Sequence, residues 1–405
     1  MRLLLGRFAL PLRPNLYPQP KTLSPLMKIL AIYFRSGSGI SIIYERIFTT
    51  LAQSGATVDV LSDHEPKPHL EGVVRRQYYR PYSDKMQHWY RRCLRWFGTT
   101  PVSTHWTRRV MPSLAQDYDV VIAFTASSQL TPVVAGRMIA KRLGCKFAIY
   151  SVDAIPAPGG WTKRDEFRGK MRIVRRNFPA ADYVASSNGH MLAYQLTTFR
   201  HKAGLRTGVL LTPSPSREYN LPISSERLLL YTGTLYGLRN PDHILRAFKR
   251  LLQTYPDAQF LLVGMKMRLG NIDTILTPEE RTHVHTAAHT DDLEPLFRRA
   301  QVLVDIDADR DSDPFLSSKI VTYLKTNRVI LCETGRHTAS RELFAGYNTI
   351  IQCDHNEDSL YEGLMRAMSL ATKEQDYTER KELIERFSIE SVTSLFKRDL
   401  EELIG

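Results

Sequence analysis

One pattern in this chain leaves few folds open. Between residues 28 and 62 a short apolar run, KILAIYF, leads into RSGSG. A stretch follows with Ile40, Ile43, Tyr44, Ile47, Phe48 and Leu51 at spacings of three and four, and then Gly55 and ATVDVLS. Spacings of three and four mark one face of a helix, and a short continuous apolar run marks a strand buried on both sides. Strand, glycine turn, helix, strand is a βαβ unit, whose strands lie parallel. The pattern continues, with strands expected at 119–124, 146–151, 182–186 and 207–211 and helices at 128–143 and 163–178.

The pattern then stops and restarts. Residues 212–226, TPSPSREYNLPISSE, are rich in Pro and Ser and read as a linker. After them come RLLLYTG, a helix expected at 240–255, AQFLLVG, the strands THVHT, QVLVDI, RVILC and NTIIQC, and two final helices at 375–386 and 388–403. The 405 residues exceed what one ordinary core holds. The reading is an α/β protein of two Rossmann-like domains, 27–212 and 213–385, with a last helix at 386–405. Ligands of open parallel sheets bind beyond the carboxyl ends of the strands, so the site is expected in a cleft between two facing sheets.

Composition closes off other classes. Apolar residues at 43% and charged residues at 24% exclude a largely disordered or collagen-like chain. The net charge of +13 points to an anionic partner. Cys93, Cys145, Cys332 and Cys353 lie far apart without a C-x-x-C, which suits a reducing cytosol rather than a disulfide scaffold. No apolar run approaches the roughly 18 to 20 residues of a membrane helix. The opening, MRLLLGRFALPLRP, is interrupted by Arg7, Pro11 and Pro14. Residues 1–26 read as an irregular appendage or mis-called start, a short interfacial anchor, or a signal.

Several constellations could carry chemistry. In YTGTLYGLRNPDHIL a strand ends at Gly233, and Arg239 precedes a helix that opens near Asn240-Pro241. Glycine permits close approach to a phosphate and Arg239 offers a fork of donors, or the segment is a plain turn with a surface arginine. In DIDADRDSDPFLSSKIVTYL, Ser317 and Ser318 sit at a helix start with Lys319 in the first turn. A lysine there opposes the helix dipole unless an anion is present; otherwise it is a solvated lysine. Asp153 follows the strand FAIYSV, where site residues collect, and reads as a general base, an acceptor for a substrate hydroxyl, or a loop cap. The loop Gly37-Ser38-Gly39 follows the first strand but lacks the third glycine of the dinucleotide fingerprint, so it also reads as a tight turn. The series Asp305, Asp307, Asp309, Asp311, Asp313 departs from a calcium loop at Arg310 and Leu316 and is expected to be a solvated acidic loop. His283, His285 and His289 lack zinc spacing. Between residues 75 and 109 cations alternate with aromatics, among them Trp89, Tyr90, Trp96, Phe97 and Trp106, and a second basic run, KRDEFRGKMRIVRR, lies in the same half. Such a segment can stack single-stranded nucleic acid, lie on an anionic membrane, or be a solvated helix face.

Taken together, Gly233, Leu235 and Arg239, then Ser317-Ser318-Lys319-Ile320-Val321-Thr322-Tyr323-Leu324, resemble the G-x-L…Arg and P-S-K-x-x-E-Y-L motifs of the family-4 retaining glycosyltransferases of the GT-B fold. YPDAQFLLVG, HTDDLEPLFRRAQVLVDI and AADYVASSNGHM resemble further segments of that family, and the resemblance spans most of residues 28–404. It implies transfer of a sugar from a nucleotide diphosphate sugar to a saccharide or lipid-linked acceptor, with retention and without a metal or other cofactor. It implies donor diphosphate binding by Gly233, Arg239, Ser318 and Lys319, and Asp313 and Thr322 on the donor sugar and ribose side. Asp153 is then the catalytic candidate, Gly37, Ser38 and Gly39 line the acceptor side, and the last helix crosses back to the first domain. Thr322 stands where the family's ribose-binding glutamate is usual, which leaves room for an inactive relative or a sugar-nucleotide epimerase of the same architecture. With the resemblance, the basic-aromatic segment favours an anionic membrane over nucleic acid. The expected location is cytoplasmic, peripheral on the inner face of the plasma membrane, in surface polysaccharide or glycolipid synthesis.

Overall fold

The computed structural model describes residues 26–34, 39–63, 75–78, 88–89, 92–93, 96–98, 100–264, 269 and 271–405. The N-terminal segment before Leu26, together with Gly37, Ser38, Tyr90, Arg91 and Arg95, lies outside the described residues.

Two parallel sheets stand one after the other along the chain. The first has strands β1 (Lys28–Tyr33), β2 (Thr57–Ser62), β3 (Arg75–Tyr78), β4 (Val120–Thr125), β5 (Lys146–Ser151), β6 (Tyr183–Ser186) and β7 (Arg206–Val209), in the order β3-β2-β1-β4-β5-β6-β7. In the second, β8 (Leu228–Thr232), β9 (Gln259–Val263), β10 (Val284–Ala287), β11 (Ala300–Ile306), β13 (Val329–Glu333) and β15 (Ile350–Cys353) follow the order β10-β9-β8-β11-β13-β15. The short pair β12 (Ser312–Asp313) and β14 (His337–Thr338) forms a small sheet of its own above the second.

The apolar runs explain why both sheets are covered twice. Along β1, Ile29, Ala31 and Tyr33 enter one core, and Leu30 and Ile32 enter another on the opposite face. Strand β8 divides likewise: Leu229 and Tyr231 go to one side, Leu228 and Leu230 to the other. A strand with both faces buried has no polar alternation, which is the run seen in the sequence. The helix α1 (Gly39–Gln53) lays Tyr44, Ile47, Phe48 and Leu51 on the first sheet. The last helix, Ile389–Ile404, packs on that same sheet and not on the second: Val392, Phe396, Leu400 and Leu403 join the core of α1, and Tyr183 Oη donates to Asp399 Oδ2 at 2.7 Å. The chain between the lobes is pinned rather than loose, since Ser214 N–H donates to the Phe387 carbonyl at 2.7 Å and Tyr219 bridges to Thr326.

One surface assignment is corrected here. Trp106 belongs to the helix α2 (Pro101–Val110), is 1% exposed, and meets the edge of Phe34 with ring centroids 4.9 Å apart. It is a core residue of the first lobe, not a membrane-facing aromatic. The spacing of Ser103, Trp106, Thr107 and Val110 places them on one helix face, and the large apolar indole is held inward by burial.

Candidate functional site

The carboxyl ends of both sheets border one cleft of about 920 Å³, lined from the first lobe by Ser127, Ser128, Asp153, Trp161, Glu166 and Lys170 among others, and from the second by Tyr236, Arg239, Phe315, Ser318 and Thr322.

The second-lobe wall begins where β8 ends. Gly233 has φ 124, and a Cβ there would stand 2.7 Å from Lys319 Cδ, so the glycine lets the lysine stem cross the strand end. Lys319 sits on a short helix, α4 (Ser318–Tyr323), which Tyr323 ties to β8 by accepting from Thr232 N–H at 2.8 Å. Its ammonium lies 5.2 Å from the Tyr231 ring centre and 3.8 Å from Asp305 Oδ1. Burial pushes the Lys319 pKa down to about 8; the Asp305 charge works against that, while Arg239 adds to it. Ser317 is committed, donating to Asp305 Oδ1 at 2.7 Å, whereas Ser318 is exposed on the cleft.

Arg239 leaves the loop after β8, just before the helix α3 (Asp242–Thr254), so the helix opens two residues after Asn240. Its guanidinium stacks 5.4 Å from the Tyr236 ring and 5.6 Å from that of Trp161. Among the described residues no carboxylate comes within ion-pairing distance of it, and its buried Nε has no hydrogen-bond partner. Burial lowers its pKa, but the charges of Asp307 and Asp305 work against this and hold the group cationic.

The acidic series does not form a solvated loop. Asp305, Asp307 and Asp313 are buried, while Asp311 is exposed. Asp305 and Asp307 straddle the end of β11, where backbone pairing continues: Asp307 N–H donates to the Glu333 carbonyl at 2.9 Å. The Asp307 carboxylate accepts from Thr334 Oγ1 at 3.0 Å and Ser340 Oγ at 2.9 Å, and burial raises its pKa. Asp313 accepts from Trp161 Nε1 at 2.6 Å and from Phe315 N–H at 2.9 Å. Thr322 is half-buried on the cleft. Among the described residues no three His, Cys, Asp or Glu side chains are grouped to hold a metal ion, and His285 instead bonds Gln259 Oε1 at 2.8 Å.

The first-lobe wall carries Asp153, just past β5. Its Oδ2 accepts from Ser127 N–H at 3.0 Å. Burial raises its pKa, opposed by that hydrogen bond and by the charges of Lys170 and Arg239. Lys170, on the helix Arg164–Asn177, is paired with Glu166 at 2.8 Å and donates to Ser127 Oγ at 2.8 Å. Glu166 and Lys170 thus leave the basic run, whose exposed cations are Lys163, Arg164, Arg168, Arg172, Arg175 and Arg176. Gly39 opens α1.

No protein-family model matches the chain, and no curated protein does. Solved structures do. A glycosyltransferase from Rickettsia africae aligns with TM-score 0.63 and 12% identity over 94% of this chain and 99% of that one. The fold is GT-B. An S. aureus TarM variant solved with fondaparinux, α-GlcNAc-glycerol and UDP aligns with TM-score 0.62 and 8% identity, over 93% of this chain and 100% of its own. A UDP-GlcNAc 2-epimerase from Neisseria meningitidis bound to UDP-GlcNAc reaches TM-score 0.50 at 10% identity, over 93% and 100%.

In this GT-B cleft, Asp153, Arg239, Ser318 and Thr322 line the wall, Asp313 is bonded to the lining residue Trp161, and Gly233 and Lys319 lie against each other at the end of β8. Sequence reasoning missed Trp161, Glu166 and Lys170. A signal for the last two existed in their spacing of four on a helix whose other cations share a different face. For Trp161 the signal was only its place after Gly159-Gly160 in a loop beyond a strand.

Proposed function

We propose that this protein transfers a sugar from a nucleotide diphosphate sugar to a hydroxyl of a saccharide or lipid-linked acceptor, with retention of configuration and without a metal. The observation that carries this reading is Arg239: a half-buried guanidinium on the cleft wall whose buried Nε has no hydrogen-bond partner and which, among the described residues, has no carboxylate within ion-pairing distance, close enough to Lys319 for the two charges to act on each other. A buried cation left unpaired is costly unless an anion completes it. Arg239 and Lys319 together suit the two charges of a diphosphate and stabilise the charge that grows on it as it leaves. The acceptor oxygen bonds to the anomeric carbon, and the bond from that carbon to the phosphate oxygen breaks with its electrons going to the nucleoside diphosphate. The acceptor proton goes to Asp153 or to the departing phosphate. Asp153, with its pKa raised by burial, is suited to hold the acceptor hydroxyl and take a proton. Asp313 and Thr322 face the donor sugar and ribose, with Gly233 leaving room for the diphosphate and Ser318 donating to it; Gly37, Ser38 and Gly39 belong to the acceptor side.

The resemblance to an epimerase structure and the threonine at 322 support a second reading, a nucleotide-sugar epimerase or an inactive relative. Exposed Trp89 (61%) and Phe97 (62%), with the exposed Arg92 between them and Arg172 Nη1 donating to the Phe97 carbonyl at 3.1 Å, support docking to an anionic membrane from the cytoplasmic side. No described helix is long and apolar enough to cross a membrane. Calorimetry with UDP, GDP, ADP and CMP, with and without EDTA, tests donor binding. NMR of the sugar anomeric and C2 protons, with and without an added acceptor, then separates transfer from epimerisation. Failure to bind any of the four nucleotides would overturn the reading, and activity that EDTA abolishes and manganese restores would overturn its metal-free part.

A further inference from the structure

We infer that Trp161, supplied from the opposite lobe, is a positioning residue for Arg239, the donor-phosphate cation it lies against. This rests on the donor reading above. Trp161 lies in the loop beyond β5 of the first lobe, yet the partners that matter here belong to the second. Its Nε1–H donates to Asp313 Oδ2 at 2.6 Å, its ring meets Phe315 and Tyr236 edge-on at 5.4 and 5.8 Å, and the Arg239 guanidinium stands 5.6 Å from its centre. Gly160, at φ 92, lets the loop press in: a Cβ there would stand 3.0 Å from Leu238 and 3.2 Å from Arg310. Asn188 Nδ2 adds a second bond across the cleft, to the Pro314 carbonyl at 3.0 Å.

The chemistry of these contacts is specific. A guanidinium held by an aromatic face is held through its own face, which leaves its in-plane N–H donors free for an anion. A guanidinium held by a carboxylate loses those donors to the ion pair. Arg239 has three buried carboxylates nearby, Asp305, Asp307 and Asp313, any of which would compete with a diphosphate. The first two are occupied by Ser317 and by Thr334 and Ser340. Asp313 is kept in place by Phe315 N–H on one oxygen and by Trp161 on the other. Trp161 therefore acts twice, lying against the cation and restraining one of the carboxylates that would neutralise it.

A double-mutant cycle read by calorimetry tests this, using the sugar-free nucleoside diphosphate that binds the full chain best. Trp161→Ala should weaken its dissociation constant about tenfold in the wild-type background. In the Asp313→Asn background, where the competing charge is gone, the same change should cost about threefold or less. Melting curves check that each variant folds, and Trp161→Phe, which keeps a ring and loses the N–H, should fall between. Equal losses in both backgrounds would make Trp161 a general packing residue and overturn the inference, as would wild-type affinity in Trp161→Ala. Absence of nucleotide binding by the wild type would overturn the donor reading itself, and this inference with it.

Discussion

The two lobes are built on one plan and differ in chemistry at the same place. Strand orders β3-β2-β1-β4-β5-β6 and β10-β9-β8-β11-β13-β15 are the same winding, and each sheet presents its carboxyl edge to the cleft. In the first lobe the buried cation, Lys170, is neutralised on the spot by Glu166 and Ser127. In the second, Arg239 lies against the rings of Tyr236 and Trp161 and, among the described residues, has no carboxylate within ion-pairing distance, and Lys319 has a long contact to Asp305. Topology sets where ligands go. Which wall takes the anion is decided by which cation is left uncommitted.

That contrast can be broken from either side. The largest expected effect is on the first lobe, where Lys170→Met strands Glu166 as a buried charge. Loss of one partner of a buried pair costs about 3 to 5 kcal/mol. Urea unfolding should show it, whereas Arg239→Ala should leave the midpoint nearly unchanged, because no partner is orphaned. A comparable loss in both variants would erase the distinction drawn between the walls.

Next in size is the ligand side of the comparison. Charge-assisted contacts are worth about 1.5 to 3 kcal/mol, so Arg239→Ala should weaken nucleotide binding by about tenfold or more. An unchanged dissociation constant for Arg239→Ala would remove it from the donor site.

A smaller effect should follow pH. Lys319 in the folded chain loses its proton near pH 8, below the ordinary lysine value, because burial disfavours the charge. An anionic ligand prefers the protonated form, so affinity for a nucleotide sugar should be full near pH 7 and fall as pH rises through about 8 to 9. The bound diphosphate should itself shift that fall upward. Lys319→Arg stays charged and should flatten the profile; a profile equally steep in that variant would assign it to another group.

The smallest effect concerns the basic-aromatic segment between residues 75 and 109. Each basic residue near an anionic bilayer adds about 1 kcal/mol at most, and salt screens it. Arg91, Arg92 and Arg95 changed together to Gln should reduce sedimentation with anionic vesicles, and added salt should do the same to the wild type. Equal binding to neutral vesicles would leave these side chains as a solvated face.

Much of this was legible in the chain and some of it was not, for definite physical reasons. The strands and helices were readable because burial on both faces and on one face leave periods of one, two or 3.6 in the order of apolar residues. The glycine at 233 and the cations at 239 and 319 were readable because a strand end, a turn and a helix start are local events. The fates of Asp305, Asp307 and Asp313 were not, since a carboxylate in a loop is solvated or buried according to partners such as Ser340 that lie far along the chain. Trp106 and Trp161 show the limit most plainly. Both are tryptophans near basic residues, yet one fills a core and the other crosses between lobes to a carboxylate 152 residues away. Local order determines which elements form and which side chains reach their ends. Only the packing of one lobe against the other decides which charges meet, because burial and partner distance, not residue type, set the cost of leaving a cation alone.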